Sequence, residues 1–191
     1  MEQFKRYSRG GKTIDSADMI KVLKNELVPE LAERIVRCFD KNGDGKIDVR
    51  EFLLMMSATR SDDPSQTARG LFRIYDKDDS GSLDEAELIE CMSLFARSRI
   101  IQILNKIKKE ATTDDSVAVE DFDSQKDVVT LTDAQKEEVV KTAKAIMAQF
   151  DSDKNGSISL EEFVKGCNGQ HFFIFLKSIE ETATTARIEI V

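Results

Sequence analysis

The 191-residue chain has no tryptophan, one histidine, two prolines and three cysteines. With His171 as the one histidine and no glycine-rich phosphate loop, it lacks the usual catalytic sets of Ser, His and Asp or of Cys and His. We therefore expect no enzymatic activity of its own, while an accessory role beside an enzyme stays open. The odd number of cysteines, near apolar helix faces, favours buried free thiols in a reducing compartment over disulfides.

Long apolar runs are also missing. The longest, residues 172–176, is far too short to cross a bilayer, and no secretory segment is visible. The first residues, Met-Glu-Gln-Phe, lack the glycine that N-myristoylation requires. Contact with a membrane is left open, but no lipidation signal indicates it. The net charge of −8 argues against nucleic acid as a partner. We expect a cytoplasmic location.

Three twelve-residue stretches follow one pattern, at residues 40–51, 76–87 and 151–162. Each has oxygen-bearing side chains at positions 1, 3 and 5, glycine at 6, a branched apolar residue at 8 and glutamate at 12. Ca²⁺ takes roughly six to eight oxygen ligands, which side chains at alternate positions can supply only if the chain wraps around the ion. The glycine allows the sharp turn, and a bidentate glutamate suits Ca²⁺ better than Mg²⁺.

One such match could be an ordinary acidic turn, but three matches between helical patterns favour metal sites. We predict three Ca²⁺ sites, in which the ligand at position 7 is a backbone carbonyl. The predicted ligands are Asp40, Asn42, Asp44, Lys46, Asp48 and Glu51 in the first loop; Asp76, Asp78, Ser80, Ser82, Asp84 and Glu87 in the second; and Asp151, Asp153, Asn155, Ser157, Ser159 and Glu162 in the third. The third loop has the fewest acidic ligands, so we predict that it binds most weakly.

Apolar residues at helical spacing flank each loop, with Phe39, Tyr75 and Phe150 just before the first aspartate. This pattern predicts an all-α fold of paired helix–loop–helix motifs in two lobes, with short β-bridges between the eighth loop positions. Leu83 and Ile158 can form one of these bridges.

Ile47, at the eighth position of the first loop, has a candidate partner in the degenerate stretch 7–18. This stretch keeps an isoleucine, Ile14, at its own eighth position, but Arg9 and Lys12 stand where calcium would need oxygens. We predict a vestigial loop that pairs without binding metal; an unrelated N-terminal arm is the alternative. Only six residues precede it, too few for a full entering helix.

These patterns divide the chain into an N-terminal lobe at 1–59, a linker at 60–65, a C-terminal lobe at 66–169 and a C-terminal segment at 170–191. The C-terminal lobe contains an acidic linker at about 110–130. The apolar cluster in the C-terminal segment predicts a short helix that fills a groove and that a target could displace. A permanent core element is the alternative.

Local signals predict several helix boundaries. Asp63 can cap a helix that begins at Pro64, and Thr132 with Gln135 forms a capping box. A long helix is expected at about 85–109, and its second half is basic and amphipathic. We favour an ordinary surface helix there over one that lies on a membrane or mimics a calmodulin target.

The loops and their flanks resemble the EF-hand superfamily. More narrowly, the degenerate first hand, Arg37–Asp40 before the first active loop, Phe72–Asp76 before the second and Leu160–Gly166 after the third resemble the group of neuronal calcium sensors, guanylate-cyclase activators and calcineurin-B-like proteins. The calcium-regulatory hands of NADPH oxidases are similar too. Unlike most of that group, this sequence has no myristoylation signal and no complete first hand.

The resemblance implies a calcium sensor that changes conformation and regulates a target through an exposed hydrophobic groove. The expected groove residues are Phe52, Met55, Met56, Met92, Phe95 and Met147. The expected partner is a helix of a target protein or a regulated enzyme. The alternatives are an intracellular calcium buffer of the sarcoplasmic type and a calcium-regulatory subunit of an enzyme such as a phosphatase or an NADPH oxidase.

Overall fold

The computed structural model describes residues 2–60, 63–111 and 129–167, with side chains at 2–56, 63–106 and 129–167. Eight helices and four short strands lie in these ranges. They are α1 (Glu2–Tyr7), β1 (Thr13–Asp15), α2 (Ser16–Leu23), α3 (Pro29–Phe39), β2 (Lys46–Asp48), α4 (Val49–Arg60), α5 (Pro64–Tyr75), β3 (Ser82–Leu83), α6 (Glu85–Ala111), α7 (Asp133–Phe150), β4 (Ile158–Ser159) and α8 (Leu160–Cys167). The all-α fold of paired helix–loop–helix motifs is confirmed.

Helices α5 and α7 begin at the capping residues that the sequence predicted. The Asp63 carboxylate accepts a hydrogen bond from the Ser65 N–H at 2.9 Å, and Pro64 opens α5. At α7, the Thr132 hydroxyl accepts from the Gln135 N–H at 3.3 Å, while the Gln135 side chain accepts from the Thr132 N–H at 2.8 Å. Each contact satisfies an N–H that has no partner within its helix.

Two antiparallel bridges join the loops in pairs. Ile14 lies opposite Ile47, and Leu83 lies opposite Ile158, so each bridge joins the two eighth positions as the sequence predicted. All four side chains are buried, with at most 2% of their surface exposed. The vestigial loop therefore serves as the structural partner of loop 40–51.

The first helix, α1, has only six residues but contributes to the core. The Phe4 side chain is buried, and its ring lies 5.4 Å from the ring of Phe52 on α4. The Tyr7 ring lies 6.4 Å from the same Phe52 ring. Phe52 itself is only 2% exposed, so these aromatic contacts contribute to its burial.

Two polar side chains of the long helix α6 form hydrogen bonds with the backbone just before α3. The long helix contacts both α3 and α7. The Ser98 hydroxyl accepts a hydrogen bond from the buried Val28 N–H at 3.0 Å, and the Asn105 side chain donates to the Asn25 carbonyl at 2.7 Å. Helix α6 therefore connects the exit side of the second loop to the entry side of the first.

Some predictions fall outside the described residues: the acidic linker except for its ends, and the C-terminal segment. In the basic half of α6, Ile101 is buried and Ile100, Ile103 and Leu104 are half-buried. Among the residues described, no helix has both the length and the apolarity that crossing a bilayer requires.

Candidate metal centres

The last glutamate of each loop ties the loop to its exit helix. One carboxylate oxygen accepts a hydrogen bond from the N–H at position 2, and the other from the N–H at position 9. These distances are 3.0 and 3.0 Å for Glu51, 2.9 and 3.2 Å for Glu87, and 2.9 and 2.9 Å for Glu162. Both oxygens of each glutamate are thus held at the loop, as bidentate coordination requires.

The aspartate at position 1 accepts hydrogen bonds from N–H groups of its own loop in all three loops, but the first loop differs in how many it accepts. In the second loop Asp76 accepts from the Ser80 and Gly81 N–H groups, each at 2.9 Å. Asp151 accepts in the same way from Asn155 and Gly156. In the first loop, Oδ2 of Asp40 accepts from the Gly45 N–H at 3.0 Å.

The other oxygen of Asp40, Oδ1, is buried and has no hydrogen-bond partner among the described residues. A buried carboxylate oxygen without a partner is costly, because it has lost water and gained nothing in exchange. A cation at the centre of loop 40–51 would satisfy it. The chemistry of this oxygen therefore fits a metal ion in the first loop, while metal binding there stays a prediction.

In the other two loops, carboxylates converge. Oxygen atoms of Asp76, Asp78 and Glu87 all lie within 4.8 Å of one another, and so do those of Asp151, Asp153 and Glu162. The first loop has an amide, Asn42, at position 3, so the same trio of acids does not exist there. Carboxylates this close repel one another, and a divalent cation between them supplies the positive charge that offsets the repulsion.

The backbone around each centre turns through left-handed conformations. Position 4 has a positive φ in each loop, at 65° for Gly43, 58° for Asp79 and 59° for Lys154. Position 6 does too, with φ between 75° and 88° at the three glycines predicted to allow the turn. This curvature brings positions 1, 3 and 5 to one side of the chain.

The residues at positions 3 and 5 bond within the loops. Asn42 donates to Asp44 at 3.0 Å, and Asn155 donates to Asp153 at 3.0 Å. In the second loop the Ser80 hydroxyl donates to the Ser82 carbonyl at 3.0 Å, so positions 5 and 7 are adjacent. The other residues at position 7, Lys46 and Ser157, begin or precede a bridge strand.

The residue at position 9 also caps the exit helix. Asp48 and Asp84 accept hydrogen bonds from the N–H of Glu51 at 2.8 Å and of Glu87 at 2.7 Å. Ser159 does the same for Glu162 at 3.3 Å. Position 9 therefore orients the position-12 glutamate whether or not it reaches the ion itself.

Two serine hydroxyl groups bond to the carboxylate of Glu162, and the loop pattern predicted neither bond. The Ser152 hydroxyl donates to one carboxylate oxygen at 2.7 Å, and the Ser159 hydroxyl donates to the other at 2.9 Å. Together with the Ser159 N–H, which has the largest effect, they lower the pKa of Glu162 to about 2. Ser152 stands at position 2, where the other loops have Lys41 and Lys77, and that difference was the available signal.

Ser16, which follows the bridge strand of the vestigial loop, makes two hydrogen bonds to loop 40–51. The Ser16 hydroxyl donates to Oδ2 of Asp40 at 3.4 Å, and the Ser16 N–H donates to the Gly45 carbonyl at 3.0 Å. Arg9 and Lys12 are exposed. Nothing in the local sequence marked Ser16, because only the Ile14–Ile47 bridge brings it to Asp40.

Comparison with known proteins agrees with this geometry. The EF-hand domain pair family matches residues 65–167, more than half of the chain, and the EF hand domain matches residues 31–59. The chain belongs to the EF-hand family of calcium-binding proteins. It is also 27% identical over 143 residues to a protein named "Guanylyl cyclase inhibitory protein" from Lithobates pipiens, a match that covers 75% of this chain and 56% of that relative.

Proposed function

We propose that this chain is a calcium sensor that regulates a target enzyme, as expected of the group of neuronal calcium sensors and calcineurin-B-like proteins. The observation that carries the proposal is the double role of α6. Its first turn contains Glu87, the last ligand of the second loop, and the helix also contacts α3, which leads into the first loop. A shift of Glu87 toward an ion would move α6 against α3.

The contact between α6 and α3 is polar as well as apolar. The Arg34 guanidinium on α3 lies 2.6 Å from Glu90, one turn beyond Glu87, and the ammonium of Lys77 lies 3.0 Å from Glu90. Lys77 is the second residue of the loop itself. A change in the loop therefore reaches α3 through a short chain of charged contacts, and such a transmitted change distinguishes a sensor from a passive site.

Two adjacent leucines on α4 provide a surface for the target. Leu53 is 49% exposed and Leu54 is 40% exposed, directly after Glu51. They are the exposed large apolar side chains among the described residues. Exposed apolar surface beside a calcium ligand is suited to an apolar face of a partner helix.

The groove residues expected from the sequence are partly hidden. Phe52, Met55 and Met92 are buried, and Met56, Phe95 and Met147 are half-buried. In a sensor these side chains become accessible when the exit helices move. In a buffer they stay in the core, so their burial is also the observation that favours the alternative of a sarcoplasmic-type buffer.

Binding of a hydrophobic dye separates the two functions. For the sensor we expect dye fluorescence to rise severalfold when Ca²⁺ is added, because opened grooves expose apolar surface. The matched control is the variant with Glu51→Gln, Glu87→Gln and Glu162→Gln, which keeps the side-chain shapes but removes three ligand charges. Equal dye binding by the wild type with and without Ca²⁺ would favour the buffer.

The three predicted ligand sets are part of the proposal. Titration calorimetry should detect about three Ca²⁺ per chain, and each single Glu→Gln substitution should remove one of them. The third loop should be the weakest site. If one variant bound as many Ca²⁺ ions as the wild type, the substituted loop would not be a Ca²⁺ site.

The relative's name suggests the first target to test. Because that protein is named as an inhibitor of guanylyl cyclase, we propose a guanylyl cyclase or a similar signalling enzyme as the partner, and no catalytic activity for the chain itself. A calcium-dependent change in cyclase activity on adding the wild type, absent with the triple Glu→Gln variant, is the expected result. No change at any calcium concentration would redirect the search to other enzymes.

A further inference from the structure

A cavity of about 410 Å³ lies between the first two predicted metal loops, and its wall contains four cationic and three acidic side chains. Arg37 and Lys41 line it from the end of α3 and the start of loop 40–51. Arg73 and Lys77 line it from the end of α5 and the start of loop 76–87. The calcium-sensor proposal uses Asp40, Asp76 and Lys77 individually but assigns no ligand to the cavity itself.

Within the described part of the chain, one of these four cations has an acidic partner. Lys77 is paired with Glu90, with both oxygens at 3.0 Å. Arg37, Lys41 and Arg73 form no ion pair with any residue in the described ranges. Positive charges gathered around one concave surface create a potential that attracts anions.

The wall also contains three carboxylates, but two of them would not offset the charge of the cations. Asp40 and Asp76 are the first ligands of their loops, and each turns Oδ2 toward its own loop glycine, at 3.0 Å for the Gly45 N–H and 2.9 Å for the Gly81 N–H. Their charges would be offset by the loop cations. Asp79, at loop position 4, is the remaining acid of the wall and is not a predicted ligand.

We propose that this cavity is a binding site for a small phosphate ester, and that calcium in the two adjacent loops strengthens the binding. Two guanidinium groups suit a phosphate, because each can donate two parallel hydrogen bonds to its oxygens. The volume falls in the range of small-molecule sites, about 300–1,000 Å³, and leaves room for an organic group attached to the phosphate.

The linkage between the two ligands is reciprocal. If calcium raises the affinity for the phosphate ester by some factor, the ester raises the affinity of the two loops for calcium by the same factor. The site goes beyond the proposed regulation of an enzyme, and it would exist in a buffer as well as in a sensor. Its failure would leave the calcium stoichiometry and the dye experiment unaffected.

The test uses the full chain and AMP as the probe, with adenosine as the matched compound that lacks the phosphate. Titration calorimetry is done with calcium buffered at saturation and again with a chelator present. We expect AMP to bind and adenosine not to bind, with AMP affinity at least severalfold higher in calcium. Similar affinities for both compounds, or no binding of AMP, would overturn the proposal.

Charge variants locate the site. Arg73→Gln should weaken AMP binding roughly tenfold, the size expected for losing a charge-assisted hydrogen bond. Arg69→Gln is the matched control, because Arg69 is exposed on the same helix, carries the same charge and lies outside the cavity wall. Equal weakening by both substitutions would mean only a general attraction of anions to the surface and would overturn the site.

A variant that binds AMP more tightly would test the site more sharply than one that binds it more weakly. Asp79→Asn removes the remaining acid from the wall, and asparagine tolerates the φ of 58° at this position. We expect AMP to bind severalfold more tightly to this variant, with unchanged calcium stoichiometry. Unchanged or weaker AMP binding by a variant that still binds calcium would contradict the proposal.

Chemical labelling of Cys38 tests directly whether AMP occupies the cavity. Its half-buried free thiol lines the cavity and donates to the Arg73 carbonyl at 3.2 Å, whereas Cys91 and Cys167 are buried. AMP should slow the reaction of Cys38 with an uncharged maleimide, and adenosine should not. If AMP binds while the labelling rate of Cys38 stays the same, the anion occupies another place and the proposal is wrong.

Discussion

Glu162 illustrates how neighbouring hydroxyl groups set the properties of a single carboxylate. It accepts hydrogen bonds from the N–H and the hydroxyl of both Ser152 and Ser159, between 2.7 and 2.9 Å. Each donor favours the ionised form, so the pKa of Glu162 is about 2 instead of the usual 4.5. The loop with the fewest acids thus has, at its last position, a glutamate that holds its charge to low pH.

We predict that Ser152→Ala raises the pKa of Glu162 toward 4.5, because it removes one of the hydroxyl donors. A carboxyl group with a lowered pKa in the folded state stabilises the fold above the unfolded pKa, and this contribution is lost as the pH falls through the folded pKa. The loss should begin near the unfolded pKa in both proteins, but in the variant it should be smaller and complete at a higher pH. The measurement is an NMR titration of the Glu162 carboxyl carbon without metal.

Ser157→Ala is the control for this titration. The Ser157 hydroxyl donates to Asn155 at 2.8 Å and has no contact with Glu162 in the described hydrogen bonds. The pKa of Glu162 should stay the same in this variant. An equal shift in both variants would mean that loop distortion, and not the lost hydroxyl, controls the carboxylate.

At the scale of elements, α7 and α8 approach closely at Gly166. A methyl group added there would lie 2.6 Å from the ring of Phe150, the last residue of α7. That ring is buried and also lies 5.9 Å from the ring of Phe163. The ring cannot move aside without disturbing the packing that supports the third loop.

We predict that Gly166→Ala lowers the free energy of unfolding by about 1–3 kcal/mol, the usual cost of overpacking a core. The sign is informative, because alanine in an open helical position would stabilise by up to about 1 kcal/mol. Urea denaturation measures the change. Lys165→Ala, at an exposed position of the same helix, should change stability by less than about 0.5 kcal/mol. A stabilised Gly166→Ala variant would show that α8 has room to shift.

At the scale of the whole molecule, contacts between α3 and α6 hold the first and second loops in a fixed relation. Arg34 is only 6% exposed, and its guanidinium lies 2.6 Å from Glu90. Glu90 is 42% exposed, so solvent weakens the pair on that side. The buried cation nevertheless depends on this carboxylate, because an unpaired buried charge is costly.

We predict that Glu90→Gln lowers the free energy of unfolding by about 1–3 kcal/mol, since it leaves Arg34 buried without its counter-charge. Arg34→Met should cost less, because it removes the buried charge together with the pair and keeps much of the volume. Urea denaturation in the presence of a chelator compares the two. The comparison would contradict this explanation if Arg34→Met were the more destabilising variant. Lys141→Gln, which removes an exposed pair with Glu138, should have almost no effect.

Much of the fold could be predicted from local patterns. The caps at Asp63 and Thr132 and the bridges of Ile14 with Ile47 and Leu83 with Ile158 follow from spacing alone. They were predictable because hydrogen bonds near a helix start and pairs of equivalent loop positions depend on few neighbouring residues. The eighteen predicted ligands lie in the loops that curve as expected, while their coordination of calcium stays a prediction.

The sequence by itself determined where oxygens gather, because each loop completes its curve within twelve residues and glycine permits the turn. Only the tertiary structure decided that Arg34 faces Glu90, that Ser16 reaches Asp40 and that cations from two loops share one cavity. The partners in the first pair lie 56 residues apart and those in the second 24 apart. Amphipathic patterns specify that a helix face is buried, but the choice of which face it meets depends on how all the helices pack together.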